Sequence, residues 1–149
     1  MSNVRTSAGS TLAITAAPPA TYTEAGFAAL TFKSVSEITD LGEFGREYAK
    51  VEHKPLANRR VVKRKGSFDE GAMSLSLGRD MEDEGQLALR AASNSDASYS
   101  YRITLQDGTK FYFSAQCMSF KTRIGGVDDI TGATTSLEID NDILEVEPA

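Results

Sequence analysis

Five basic side chains lie within seven positions of the stretch RRVVKRKG: Arg59, Arg60, Lys63, Arg64 and Lys65, here called the basic cluster. Guanidinium and ammonium groups at this density can neutralise nucleic-acid phosphates or pair with carboxylates on a protein surface. The whole chain has 16 basic and 21 acidic side chains and a formal net charge of −5. Without the cluster, 11 basic side chains remain and the balance is −10. The cluster is therefore a local exception in an acidic protein.

Three interpretations of the basic cluster are open: a nucleic-acid arm, a docking arm for an acidic protein surface, and a solvated loop. No aromatic residue lies between Arg59 and Lys65 to stack on bases, and the acidic remainder of the chain repels a polyanion. A solvated run of charge is common. We favour docking onto another copy of the same protein. Two acidic sets are possible partners, and the sequence does not choose between them: Asp80, Glu82, Asp83 and Glu84, or Asp140, Asp142, Glu145 and Glu147.

Catalytic and metal-binding patterns are weak. His53 is the only histidine, and no G-x-S-x-G motif accompanies it. Cys117 lies in an apolar strand pattern, which indicates a buried structural thiol. Asp140 and Asp142 lack the glycine and the terminal glutamate of a calcium loop, and GGVDDITG lacks the lysine of a phosphate-binding loop. We therefore expect no enzyme activity, no cofactor and no metal.

Length and composition are typical of one globular domain spanning residues 1–149. A single cysteine excludes a disulfide within the chain. No apolar run approaches the ~20 residues of a membrane span. The mildly apolar residues 11–20 are interrupted by Thr15 and end at Pro18-Pro19, which does not fit a secretory signal. We expect residues 1–21 to be an irregular N-terminal arm.

Period-two alternation predicts a mainly β fold. Met73, Leu75 and Leu77 share one face of a strand. At the C-terminal end, the apolar residues Leu137 and Ile139 occupy odd positions, whereas Leu144 and Val146 occupy even positions. Asn141-Asp142 separates the two pieces.

A β-hairpin is predicted around Asp107-Gly108. A two-residue turn would pair Ile103 with Tyr112, whereas a three-residue loop ending at Gly108 pairs Ile103 with Phe111 and Tyr101 with Phe113. The second register keeps the apolar side chains together, so we prefer it. The parity changes before Met118, which predicts a bulge near Gln116-Cys117.

One helix is predicted over about 81–92, with Asp80 as its cap and acidic residues in its first turn. Leu87, Ala88 and Ala91 would form its apolar stripe. Residues of about 39–66 and 124–135 contain glycines and only short β-like pieces such as YAKVEH, so we expect two long loops. Loops of this length usually have a function.

The order of these pieces resembles the tail tube protein (major tail protein) family of long-tailed bacteriophages with non-contractile tails (siphophages). The pieces that carry the resemblance are, in chain order, TYTEAGFAALTFKSVSEITDLGEFG, KRKGSFDEGAMSLSLGRD, DMEDEGQLALRAA and TGATTSLEIDNDILEV. They span nearly the whole chain, and their order together with stretches such as EITDLGEFG and KGSFDEG is more specific than composition but is not a catalytic signature.

The resemblance implies a β-sandwich or barrel-like subunit with one helix packed outside. It also implies stacked hexameric rings around a lumen through which duplex DNA passes without specific binding. The partners would be further copies of the chain and the tip, tape-measure and terminator proteins, in a virion assembled in the host cytoplasm. The parts that link subunits would be the arm before Tyr22, residues of about 39–66 and the C-terminal end.

The basic cluster is a feature of this sequence and not of the family. The competing functions are a β-sandwich binding or adhesin module and a secretion-system tube protein. A binding module would be expected to expose aromatic side chains, yet this chain has no Trp, and most of its Tyr and Phe residues fall within strand patterns.

Overall fold

The computed structural model describes residues 4–147, which form ten β-strands and two α-helices. The strands are β1 (Thr11–Thr15), β2 (Lys33–Val35), β3 (Ile38–Asp40), β4 (Glu47–His53), β5 (Val62–Asp69), β6 (Ala72–Gly78), β7 (Tyr99–Thr104), β8 (Lys110–Arg123), β9 (Gly132–Ile139) and β10 (Leu144–Val146). The helices are α1 (Glu24–Ala28) and α2 (Glu84–Ser93). The predicted mainly β fold is confirmed.

Eight strands form one antiparallel sheet in the order β2-β1-β7-β8-β9-β6-β3, with β10 paired to β8. The two terminal strands, β2 and β3, follow one another in the chain and are joined by Ser36 and Glu37. Such an order requires the sheet to curl so that its ends approach each other. Glu37 makes this tight connection with a φ of 63°, and its carbonyl accepts a hydrogen bond from the Gly78 N–H at 2.7 Å.

The core is built from alternate residues of the main sheet, as period-two patterning requires. Met73, Leu75 and Leu77 of β6 are buried, which confirms the predicted face. Leu137 and Ile139 of β9 are buried beside them. Helix α2 packs on β8, β2 and β1 and closes this core.

The hairpin of β7 and β8 has the predicted three-residue loop. Tyr101 pairs with Phe113 and Ile103 pairs with Phe111, and Gly108 has a φ of 97°. The predicted bulge is present as well, because the pairing of β8 with β9 shifts between Cys117 and Ser119. Apolar alternation and turn chemistry together were sufficient to predict this element.

The prediction of an irregular arm over residues 1–21 is wrong at residues 11–15, which form β1 inside the main sheet, between β2 and β7. Residues 1–3 lie outside the described part of the chain. Leu12, Ala13 and Ile14 are all buried, so both faces of β1 are covered. A strand covered on both faces shows no alternation, and its short apolar run resembles a coil in sequence.

Helix α2 begins later than predicted and uses a different cap and a different face. Asp83, rather than Asp80, caps it by accepting a hydrogen bond from the Gln86 N–H at 3.0 Å. Its buried residues are Gly85, Gln86, Leu89 and Ala92, whereas Leu87 is 44% exposed. Of the expected stripe of Leu87, Ala88 and Ala91, only Ala88 packs against the core, and Leu87 and Ala91 are exposed. A glycine and a glutamine occupy the inward face and conceal the apolar periodicity.

Helix α1 was not predicted. Thr23 caps it, and Phe27 is fully buried against the sheet face opposite the main core. There the Phe27 ring stacks on Tyr112 at 5.4 Å and meets Tyr22 edge-on at 4.9 Å. Five residues are too few for a helical period to be detected from sequence.

Both predicted long loops contain more strand than expected. The region of about 39–66 holds most of β4 and β5, which pair with each other as a separate two-stranded sheet. The second loop ends at residue 131, because β9 begins at Gly132. Charged side chains on both faces of β5 remove the apolar alternation by which a strand is normally predicted.

Candidate assembly interface

The two-stranded sheet of β4 and β5, here called the basic hairpin (Glu47–Asp69), projects from the main sheet. All seven residues of β4 are exposed and none of β5 is buried. At about 3.3 Å per residue, the hairpin reaches roughly 25–30 Å from its base to its tip. An isolated two-stranded hairpin is only marginally stable in water, so this one is suited to being covered by a partner.

The structure places the basic cluster on the basic hairpin but not on one face of it. Lys63 and Lys65 pair with Glu52 and Lys50 and share their face, because directly opposed residues point to the same side. Arg64, opposite Val51, points to the other side. Arg59 and Arg60 lie in the turn between the strands. The basic side chains therefore lie on both faces and in the turn of the hairpin. This arrangement suits a hairpin that is inserted between two acidic surfaces.

The charges of the basic hairpin are poorly neutralised within the subunit. Seven basic and three acidic side chains lie between Glu47 and Asp69, a net charge of +4, against −9 for the rest of the chain. Lys50 lies directly opposite Lys65, an arrangement that destabilises a strand pair. Lys50 bonds to Glu52 at 3.0 Å, but within residues 4–147 no member of the basic cluster forms an ion pair.

An aromatic strip follows one face of the basic hairpin near its base. The rings of Tyr48 and Phe68 lie 5.5 Å apart and are 39% and 52% exposed. The Lys65 ammonium lies 4.7 Å from the Tyr48 ring centroid, and the Arg46 guanidinium lies 4.1 Å from that of Phe68. Cation–π contacts of this kind hold the long basic side chains against the strand pair.

The base of the basic hairpin is fixed to the main sheet by Arg46. Its guanidinium bonds to Glu70 at 2.7 Å and to Asp142 at 3.1 Å, so one residue joins both sides of the base to the segment before β10. Hydrogen bonds from Arg46 to the Tyr48 hydroxyl and to Glu70 raise the pKa of Arg46. The buried Glu70 carboxylate needs this partner, because an unpaired buried charge is costly.

The acidic residues named as possible partners are partly engaged within their own subunit. Asp83 caps α2 and also accepts a hydrogen bond from the Ser36 N–H at 3.1 Å. Asp142 binds Arg46, and Asp140 accepts a hydrogen bond from the Ser98 hydroxyl. Both sets lie on the subunit surface, but several of their carboxylates already have partners.

A second candidate interface is the outer edge of β8, which sequence reasoning did not identify. Pairing with β7 ends at Ala115, while β8 continues through residues 116–123 to Arg123. On that side no strand within residues 4–147 pairs with this segment. Met118, at the bulge, is 59% exposed. An unpaired edge of this length invites strand addition.

The residues considered for catalysis are not brought together. His53 is exposed at the end of β4, and Cys117 is buried in β8. Burial raises the pKa of the Cys117 thiol to about 11, so it is a poor nucleophile at neutral pH. Within residues 4–147 no three His, Cys, Asp or Glu side chains are grouped to hold a metal ion, and no helix is long and apolar enough to cross a membrane.

Solved structures with a similar fold include chains of phage tails and of contractile injection systems. A chain of the anti-feeding prophage baseplate, a six-fold symmetrised assembly, has a TM-score of 0.74 and 11% identity over 98% of this chain and 97% of its own. The SPP1 tail tube protein has a TM-score of 0.68 and 14% identity over 91% and 75%.

A third similar chain comes from the sheath/tube terminator structure of the extracellular contractile injection system PVC. It has a TM-score of 0.67 and 11% identity over 93% of both chains. No protein-family model and no curated protein sequence matches this chain. At these identities the likeness establishes the fold, which is the fold of subunits from tail tubes and injection systems.

Proposed function

We propose that this protein is a structural subunit that self-assembles into stacked rings, forming the tail tube of a siphophage through which DNA is delivered. The observation that carries the proposal is the shared fold over more than nine-tenths of the chain with a tail tube protein and with injection-system subunits.

Lateral contacts would come from extension of the main sheet. The open edge of β8 offers eight residues to a strand of the adjacent copy. Repeated around a closed ring, such head-to-tail pairing leaves no unpaired edge and forms a barrel wide enough for a channel. The six-fold symmetrised assembly of one structural neighbour supports a ring of six.

Axial contacts would come from the basic hairpin, and the cluster of Arg59, Arg60, Lys63, Arg64 and Lys65 would meet carboxylates of a neighbouring copy. Occupied in this way, the cluster is unavailable to DNA. An acidic lumen would let duplex DNA slide, because phosphate contacts with Lys and Arg are what retain it. Tip, tape-measure and terminator proteins would complete the tail in a virion assembled in the host cytoplasm.

The structural neighbours give no support to an adhesin module. A contractile injection-system tube is the second candidate, because two of the three similar structures described here come from such systems. The two tube types share their ring architecture and differ in whether a sheath surrounds the tube.

Electron microscopy of the purified chain over a range of concentrations tests the proposal. We expect rings with six-fold class averages, and filaments at high concentration. A variant with all five residues of the basic cluster changed to Glu should give rings without filaments. A wild-type chain that remains monomeric at millimolar concentration and binds glycans would contradict the tube and favour a binding module.

A further inference from the structure

The segment 124–131 between β8 and β9, here called the apolar loop, exposes three large apolar side chains. Ile124 is 68% exposed, Val127 is 99% exposed and Ile130 is 82% exposed. Apolar side chains grouped on one short loop mark an interaction surface more often than single exposed residues do. The proposed ring closure and the basic hairpin leave this loop without a role.

The apolar loop has a fixed shape. Its turn is closed by the Asp129 carboxylate, which accepts a hydrogen bond from the Gly126 N–H at 2.8 Å, and by the Asp129 N–H, which donates to the Gly126 carbonyl at 3.1 Å. Gly125 has a φ of 71°, and a Cβ there would lie 2.6 Å from the Asp129 carboxylate. The turn therefore presents Val127 and Asp128 preformed, and little ordering entropy is lost on binding.

The apolar loop and the basic hairpin leave the main sheet at opposite ends. The loop leads into Gly132, which pairs with Gly78 at the end of β6. The hairpin leads into Ala72, which pairs with Glu138 at the start of β6. Ala72 and Gly78 are six residue steps apart, about 20 Å at strand spacing. Copies stacked in the same orientation along the direction of β6 would bring the hairpin of one toward the loop of the next.

The two surfaces are complementary in charge and in polarity. Asp128 has no polar partner within residues 4–147, which leaves its carboxylate available at the tip of the loop. The basic hairpin supplies the opposite charge together with exposed apolar side chains, Val51 at 52% and Leu56 at 106%. Asp83, Asp140 and Asp142, from the two acidic sets considered earlier, already form hydrogen bonds or ion pairs within their own subunit. The Asp128 carboxylate forms neither within residues 4–147.

We propose that the apolar loop of one copy is the docking site for the basic hairpin of the next copy along the tube. This rests on the proposed self-assembly and names the partner of the hairpin. Apolar contact with Val127 and Ile130 excludes water, and Asp128 pairs with one of the cationic side chains of the hairpin. The contact joins two different surfaces, so it propagates from copy to copy along an open stack.

Two complementary variants test the contact. The hairpin variant carries Lys63→Glu, Arg64→Glu and Lys65→Glu and keeps a normal apolar loop. The loop variant carries Val127→Ser, Asp128→Asn and Ile130→Ser and keeps a normal basic hairpin. Leu87→Ser, on the exposed face of α2, is the matched control. Sedimentation velocity and electron microscopy measure stacking, and thermal melts check that every variant is folded.

Each variant alone should raise the concentration needed for stacking by roughly 10- to 100-fold, because buried apolar area and charge pairing are lost. Mixed in equal amounts, the two variants should form complexes of two layers and no longer stacks, since only one type of working contact remains. Leu87→Ser should stack like the wild type.

A loop variant that stacks like the wild type overturns the inference, and so does a mixture that gives no two-layer complex. Failure of the tube proposal is distinguishable from these results. A wild type that forms loop-dependent linear oligomers but no rings contradicts the tube while leaving this contact intact. A wild type without any contact between hairpin and loop contradicts both proposals.

Discussion

Gln86 is the polar side chain on which closure of the curled sheet depends, and its replacement by Met is the sharpest test of the fold. Gln86 is fully buried in α2. Its amide nitrogen donates to the carbonyls of Ser36 at 2.9 Å and Gly78 at 2.8 Å, and its amide oxygen accepts from the Asp80 N–H at 2.8 Å. One side chain thus ties the helix to the β2–β3 connection and to the end of β6.

Gln86→Met keeps the length and nearly the volume of the side chain, so the cavity term is small. Three hydrogen bonds are lost, at about 1 kcal/mol each in net stability, which predicts a fall of about 3 kcal/mol in the free energy of unfolding. For a domain of this size the melting temperature should drop by roughly 6–12 °C.

Differential scanning calorimetry measures the drop, and Leu87→Met is the matched control. Leu87 is the next residue of the same helix and is 44% exposed, so its change should alter stability by less than about 0.5 kcal/mol. If Gln86→Met melts within about 2 °C of the wild type, the three hydrogen bonds do not hold the sheet closed and the reasoning is wrong.

Four further outcomes are expected. Reversing all five charges of the basic cluster should leave the thermal melt nearly unchanged, because the cluster forms no ion pair within residues 4–147. The same variant should form no filaments in electron micrographs. Normal filaments would show that the hairpin is only a solvated surface. The wild-type chain should not bind duplex DNA tightly at physiological salt, and sub-micromolar, steeply salt-dependent binding in a fluorescence anisotropy titration would contradict this. His53→Ala should assemble like the wild type when filaments are counted, since His53 is exposed, and a folded variant that fails to assemble would reveal a missed site. Burial raises the pKa of Cys117 to about 11 and that of Tyr22 to about 12, so the unfolded chain loses these two protons at a lower pH than the folded chain does. The free energy of unfolding, measured by urea denaturation, should therefore fall as the pH rises from about 9 to about 12. A flat profile would contradict this.

Sequence reasoning succeeded where the local pattern and the fold agree. The loop at Gly108 and the pairing of Ile103 with Phe111 followed from alternation and turn chemistry alone. The buried face of Met73, Leu75 and Leu77 followed from a strand with one covered side.

It failed where tertiary structure supplies what the local pattern lacks. Strand β1 is covered on both faces, so Leu12, Ala13 and Ile14 show no period. The inward face of α2 begins with Gly85 and Gln86, which no hydrophobic pattern would select. The basic cluster was found from composition, but its division between two faces of a hairpin depends on strand pairing, and that is not visible in a run of charges.

The main sheet ends in two strands of only three residues each, β2 and β3, and their shortness limits aggregation. A stray chain that paired with either strand would gain two or three backbone hydrogen bonds, about 1 kcal/mol each. The loss of translational and rotational freedom on association costs at least about 4 kcal/mol. Growth of amyloid-like sheets from these ends is therefore unfavourable from the first added strand. Any filaments of the subunit should consequently be free of thioflavin-positive sheets that grow from β2 or β3.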